Sequence, residues 1–176
     1  MNTTISDILN SKREAILQTA EYCFDYITSV DSRVRLDDKI RTGIQVLVRV
    51  LNTRDLINAA IQEPSEHAKF FVTEKSVRAE SHNHFSSGNT ANADEFYFHG
   101  CVAVRIAPDI IVHASTSGLK EEEDVAVSIA MLATLLGWSV RQVIENIELY
   151  NGCIHPAITD EKNYLHTMLV ELPQTA

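Results

Sequence analysis

The six glycines and four prolines of this 176-residue chain all stand where a periodic run of apolar residues stops. That punctuation constrains the fold most, because glycine and proline interrupt helices and strands for reasons of backbone geometry. Gly43, Pro64, Gly88, Gly100, Pro108, Gly118, Gly137, Gly152, Pro156 and Pro173 therefore serve as boundaries. The segments between them switch between a helical and a strand period.

Ile5, Ile8, Leu9, Ile16, Ala20, Cys23 and Ile27 keep a helical period from Thr4 to Thr28, and Thr4 with Asp7 has the spacing of a capping box. Residues 29–43 read as a polar linker or a short helix. Ile44, Val46, Val48 and Val50 alternate with Gln45 and Arg49, turn formers occupy 52–55, and the apolar run resumes over 56–62, which predicts a hairpin. Pro64-Ser65 opens a helix that ends near Phe85, and 86–94 reads as a loop. A second hairpin runs from Phe96 to Ala107 and back from Ile110 to Thr116 around Pro108-Asp109. Helices follow over 121–136, stopped by Gly137, then from Ser139 to Tyr150, and again from Tyr164 to Leu172. The order α, ββα, ββα, α, α predicts a single α+β domain of antiparallel strands with helices stacked on one face.

A chain of this length buries enough apolar surface to need no covalent staple. Cys23, Cys101 and Cys153 are odd in number and widely spaced, which fits a reducing compartment. The first residues lack a basic and an apolar leader region, and the longest uncharged stretch, 125–140, is shorter than the ~20 residues of a membrane span. A cytoplasmic protein with no membrane partner is the expectation. Net charge is −9. The basic residues between Arg33 and Arg54 form a solvated strip or a subunit contact, and with no accompanying motif nucleic acid is not an expected partner.

Chemistry concentrates around the second hairpin. His82, His84, His99, Cys101 and His113 are close in sequence but match no common metal-ligand spacing, so no metal is expected. If Ala107 pairs with Ile110 and the register continues unbroken, His113 faces Val104 and Cys101 faces Thr116. His113 and Cys101 then project from opposite faces, whereas His99 and Cys101 share one. His99 beside Cys101 would suit a thiolate pair, and Ser117 at the strand-to-helix turn is a second candidate nucleophile, although the pattern is not Gly-x-Ser-x-Gly. Phosphate at Gly118 is disfavoured because Glu121, Glu122, Glu123 and Asp124 already occupy the helix start. Tyr97 beside His99 could flank a planar ligand such as haem.

Phe96-Tyr-Phe-His99-Gly100, followed by a strand and then Thr116-Ser-Gly-Leu119-Lys-Glu-Glu-Glu-Asp124-Val-Ala, resembles the GlcG/HbpS superfamily, labelled haem-degrading domain. The likeness is to its branch of small uncharacterised cytosolic proteins and covers about 96–137, with Lys75, Ser86 and Ser87 as looser echoes. It implies a profilin-like antiparallel sheet, with 1–43 and 138–176 as helical extensions, and symmetric oligomers that in some relatives bind haem or another tetrapyrrole. Two positions depart from the pattern: Cys101 replaces a second glycine, and Val125 replaces a histidine, which disfavours haem.

The resulting expectation is a homo-oligomer that binds a small organic ligand at a subunit seam. Its pocket would use Tyr97, His99, Cys101, Ser117 and the Ser86-Ser87 loop, with His113 and Gly118 among the contacts. The alternatives are a cofactor-independent isomerase, cyclase or hydrolase with His99 as general base and Cys101 or Ser117 as partner, and a structural subunit with the C-terminal helices as docking arm.

Overall fold

The computed structural model describes residues 3–173. Thr4 caps α1 (Ile5–Ser11) with the reciprocal Thr4–Asp7 bonds expected of it. The chain bends at Lys12 into α2 (Arg13–Ser29), which buries Ile16, Ala20, Cys23 and Ile27. A single turn, α3 (Ser32–Arg35), leads to β1 (Gly43–Val50) and β2 (Leu56–Gln62). Ser65 caps α4 (Glu66–Ser81), which stops short of Phe85 because Asn83 takes a left-handed conformation (φ 55°). Two tight turns, 87–90 and 93–95, precede β3 (Cys101–Ala107) and β4 (Ile110–Ser117). The chain continues through α5 (Glu121–Leu136), α6 (Val140–Leu149), α7 (Pro156–Thr159) and α8 (Tyr164–Val170).

The two hairpins join through β1 and β4 into one antiparallel sheet of order β2-β1-β4-β3. The α+β class, the antiparallel sheet and the helices at both ends are those indicated by the sequence. Val46, Val48, Val102, Val112 and Ala114 form the inner layer beneath α5 and α2, and a Thr19–Thr134 hydroxyl contact of 2.8 Å joins those two helices. α4 lies across the second face, where Ser115 donates to the Val72 carbonyl at 2.7 Å and Arg49 donates to Ser76 at 2.7 Å. Both faces are therefore covered, not one as the sequence suggested, because α4 packs opposite α2 and α5, and β1, β3 and β4 are buried for most of their length.

α5 is the central pillar, and each of its fully buried large side chains, such as Ile129 and Leu132, contributes about 1.5–3 kcal/mol of burial. The terminal segments are part of this core, since α2, α6 and α8 bury Ile16, Val143, Ile147, Leu165 and Met168 around α5. α6–α8 are thus packed against their own chain instead of extending as a free arm. Among the described residues no single helix is long and apolar enough to cross a membrane.

One irregularity reorganises the second hairpin. Ala107 pairs with Ile110 as expected, but the register shifts between Arg105 and Ala107, so Arg105 pairs with Ile111, Ala103 with His113 and Cys101 with Ser115. A one-residue bulge inverts parity, and His113 and Cys101 end up on the same face instead of opposite ones. The outer edge of β3 is covered as well: the N–H groups of Cys101, Ala103 and Arg105 donate to Ser87 Oγ, the Phe85 carbonyl and Asn146 Oδ1.

Candidate functional site

The strand starts and the α5 start meet at one end of the sheet, and three polar groupings are built there. The innermost is a buried ion pair. Lys75, on the sheet-facing side of α4, places Nζ 2.8 Å from Asp124 Oδ2 and 2.9 Å from the Thr116 carbonyl. Asp124 Oδ1 accepts the Leu119 N–H at 3.1 Å, which fixes the turn after β4. Burial raises the Asp124 carboxyl to about 6, opposed by the Lys75 ammonium and the Leu119 N–H, so the group is ionised at neutral pH. Gly100 makes room for this pair: its φ is 136°, and a Cβ there would lie 2.6 Å from both Lys75 Nζ and the Thr116 carbonyl.

The second grouping is the one the bulge creates. His113 Nδ1 lies 3.1 Å from Ser76 Oγ and 3.6 Å from Cys101 Sγ. Arg49 Nε already donates to Ser76 Oγ, so the serine hydroxyl donates onward and Nδ1 is the acceptor. Burial pushes the Cys101 thiol up to about 12 and the His113 imidazole down to about 3. Both are therefore neutral at physiological pH, and the thiol is not a nucleophile in this state.

This grouping makes stability dependent on pH. His113 binds a proton near 6.5 when unfolded but near 3 when folded, so its contribution is full above pH 6.5 and is lost as pH falls through that interval. About 2–3 kcal/mol should be gone at pH 4.5 relative to pH 7.5. Asp124, raised in the folded state, works in the opposite direction over part of the range and makes the native profile shallower. Urea midpoints of the parent and of His113→Leu at the two pH values separate the terms. The variant should lose less stability on acidification than the parent, and parallel profiles would remove His113 from the account.

The third grouping is the rim. Arg78 ties the 87–98 loop to α4, donating to the Ser87 carbonyl (2.8 Å), Thr90 Oγ1 (2.5 Å) and the Phe98 carbonyl (2.8 Å). Its guanidinium also lies 4.8 Å from the Tyr97 ring centroid. His99 follows this loop, its backbone N–H bound to Glu121 Oε1 at 2.7 Å and its ring edge-on to His155, with centroids 5.5 Å apart. His99 Nδ1 is buried without a partner beside Gly88, where a Cβ would sit only 2.3 Å away. Burial lowers the His99 pKa, with smaller opposing help from Glu121.

His99 and Cys101 consequently do not form a pair. Gly100 breaks the alternation between them: His99 packs against Gly88 and His155 at the rim, while Cys101 turns inward to His113. Ser86 and Ser87 are fully buried, Ser87 serving the β3 edge and Ser86 bonding to the Gly88 N–H. Ser117 is buried at the end of β4 opposite Gln45, and the Gly118 carbonyl accepts from Arg41. Of the residues singled out in the sequence, Tyr97 and His99 remain at the accessible rim. Arg78, Ser76, Glu121 and His155 carried no local signal, because their partners come from other elements.

No protein-family model, curated protein or solved structure matches this chain.

The residues do not suit haem. Val125 is buried in the core and His113 is enclosed between α4 and the sheet, so neither position offers an axial ligand. Among the described residues no group of three or more His, Cys, Asp or Glu side chains is placed to hold a metal ion.

Proposed function

We propose that this chain is a GlcG/HbpS-like ligand-binding protein that takes a small organic molecule at the His99 rim, in a seam closed by a second copy of itself. The observation that carries this reading is the state of His99. A buried acceptor without a partner is less costly than a buried N–H without one, so Nδ1 is unprotonated and Nε2 carries the hydrogen. Nε2 is the ring atom left for a ligand, and as a neutral donor it suits a carboxylate or carbonyl oxygen. The nearby Lys75 and Arg78 cations are each paired with a carboxylate, Asp124 and Glu74, so the Nε2 hydrogen and not a net positive field is what would hold the ligand oxygen.

An aromatic surface adjoins the rim. Phe70 stacks edge-on with Phe71, and Phe71 with Phe98, the neighbour of His99. Phe70 and Phe96 are 64% and 66% exposed in the single chain, which is the character of a surface awaiting a partner. The planar body of an organic acid would lie against it.

Native mass spectrometry and equilibrium dialysis against aromatic carboxylates test the ligand, and sedimentation equilibrium tests the seam. The expected results are a retained or binding carboxylate, an affinity about tenfold lower in His99→Ala at unchanged Tm, and an assembly that Phe70→Glu reduces to the 19.7 kDa chain. A monomer that neither retains nor binds any such molecule would refute the reading.

A further inference from the structure

We infer that the groove between the C-terminal end of α5 and helices α6–α8 is a second binding site, for an amphiphilic organic cation: an amine carried on an apolar or aromatic body. The cavity has a volume of about 760 Å³, well within the ~300–1,000 Å³ of small-molecule sites. It shares α5 and α7 with the His99 rim, but none of its lining residues belongs to that rim, so it stands independently of the function proposed there.

The floor of the groove is apolar, formed by Ile144, Ile158, Leu169, Leu172 and the half-buried Trp138. Its polar border is dominated by acceptors. Glu145 is paired with Arg141 at 2.7 Å, but Glu148 and Glu161 have no ion-pair partner among the described residues. His166 Nδ1 lies 3.2 Å from the Ile158 carbonyl, which places the ring proton on Nδ1 and leaves Nε2 as a further acceptor. Lys12 reaches the Gly137 end of the groove, but its ammonium is bound to the Thr134 carbonyl at 3.3 Å. Three carboxylates against the Arg141 guanidinium and the Lys12 ammonium leave the border net negative, and with an apolar floor that includes an indole they favour an ammonium group over an organic anion.

Trp138 is the only tryptophan in the chain, so its fluorescence reports occupancy of this groove. Phenethylamine should change Trp138 emission saturably, with an affinity about tenfold above those of the neutral 2-phenylethanol and the anionic phenylacetate. Glu148→Gln combined with Glu161→Gln should weaken the amine about five- to tenfold and leave 2-phenylethanol unchanged. Raising salt from about 0.05 to about 0.5 M should weaken the amine alone. Both substitutions lie on the exposed surface and leave the fold intact, which the Tm verifies. A flat titration by both fluorescence and calorimetry, equal affinity for phenylacetate, or undiminished amine binding in the double variant overturns the inference.

Discussion

Lys75→Met is expected to destabilise the protein by about 3–5 kcal/mol, because it leaves a buried carboxylate with no cation to offset its desolvation. Lys75 is 2% exposed and Asp124 equally buried, and together they satisfy the Thr116 carbonyl and the Leu119 N–H. Methionine preserves most of the volume, so the loss reports the charge and not a cavity. Lys75→Met with Asp124→Leu should be less destabilised than the sum of the two single changes by about 2 kcal/mol or more, since neither charge is then stranded. It should not return to the parent value, because two backbone groups lose their partners at about 1–3 kcal/mol each.

The pH dependence gives a second signature. Without Lys75 the buried Asp124 carboxyl rises further above its unfolded value. A raised carboxyl contributes stability below its unfolded pKa and loses it as pH rises through the folded one. Lys75→Met should therefore recover relative to the parent as pH is lowered from 7 to 5 in urea titrations. A loss under about 1 kcal/mol with no recovery on acidification would show that the ammonium is not what neutralises Asp124.

Glu123→Ala should have a comparable effect, about 3–5 kcal/mol, but by opening a different part of the molecule. Glu123 is completely buried and accepts both Arg35 donors, at 2.5 and 2.7 Å, together with the Tyr164 hydroxyl at 2.7 Å and the Lys120 N–H at 3.0 Å. Arg35 belongs to α3, Glu123 to the first turn of α5 and Tyr164 to α8, so one carboxylate clasps the two ends of the chain onto the central helix. With the carboxylate removed, Arg35 stays buried with only Asp37, at 3.5 Å, as counter-charge. Hydrogen exchange should show protection falling first in α3 and α8 and last in the sheet. Glu122→Ala, one residue away and paired only with Lys120 near the surface, should change stability by no more than about 0.5 kcal/mol. Equal losses at the two positions would mean that helix-start charge, and not the clasp, is responsible.

Local elements were legible because their signals are local. The capping box at Thr4, the serine caps of α4 and α6, the left-handed Gly137 after α5 and the Pro108-Asp109 hairpin tip all lie where short-range geometry puts them. The candidate site was legible only in part. His99, Gly100 and Ser117 do converge at one end of the sheet, as the hairpin alone implied. The companions of His99 were not visible, because Glu121 and His155 lie 22 and 56 positions further along the chain and become neighbours only when the helices dock.

Periodicity and punctuation located the four strands and the longer helices, since those depend on contacts a few residues apart. They did not locate the break at Lys12, the short α7 or the start of β3 at Cys101, where a left-handed Phe96 keeps 96–100 out of the strand predicted from Phe96. Tertiary structure decided the rest. Which way Cys101 faces depends on a bulge between Arg105 and Ala107, and the bulge inverts every assignment of face made from alternation beyond it, because strand side chains repeat with a period of two. The pairing of Lys75 with Asp124 and of Arg35 with Glu123 likewise exists only once the layers have closed, when water is removed and a buried charge must find its counter-charge across the fold.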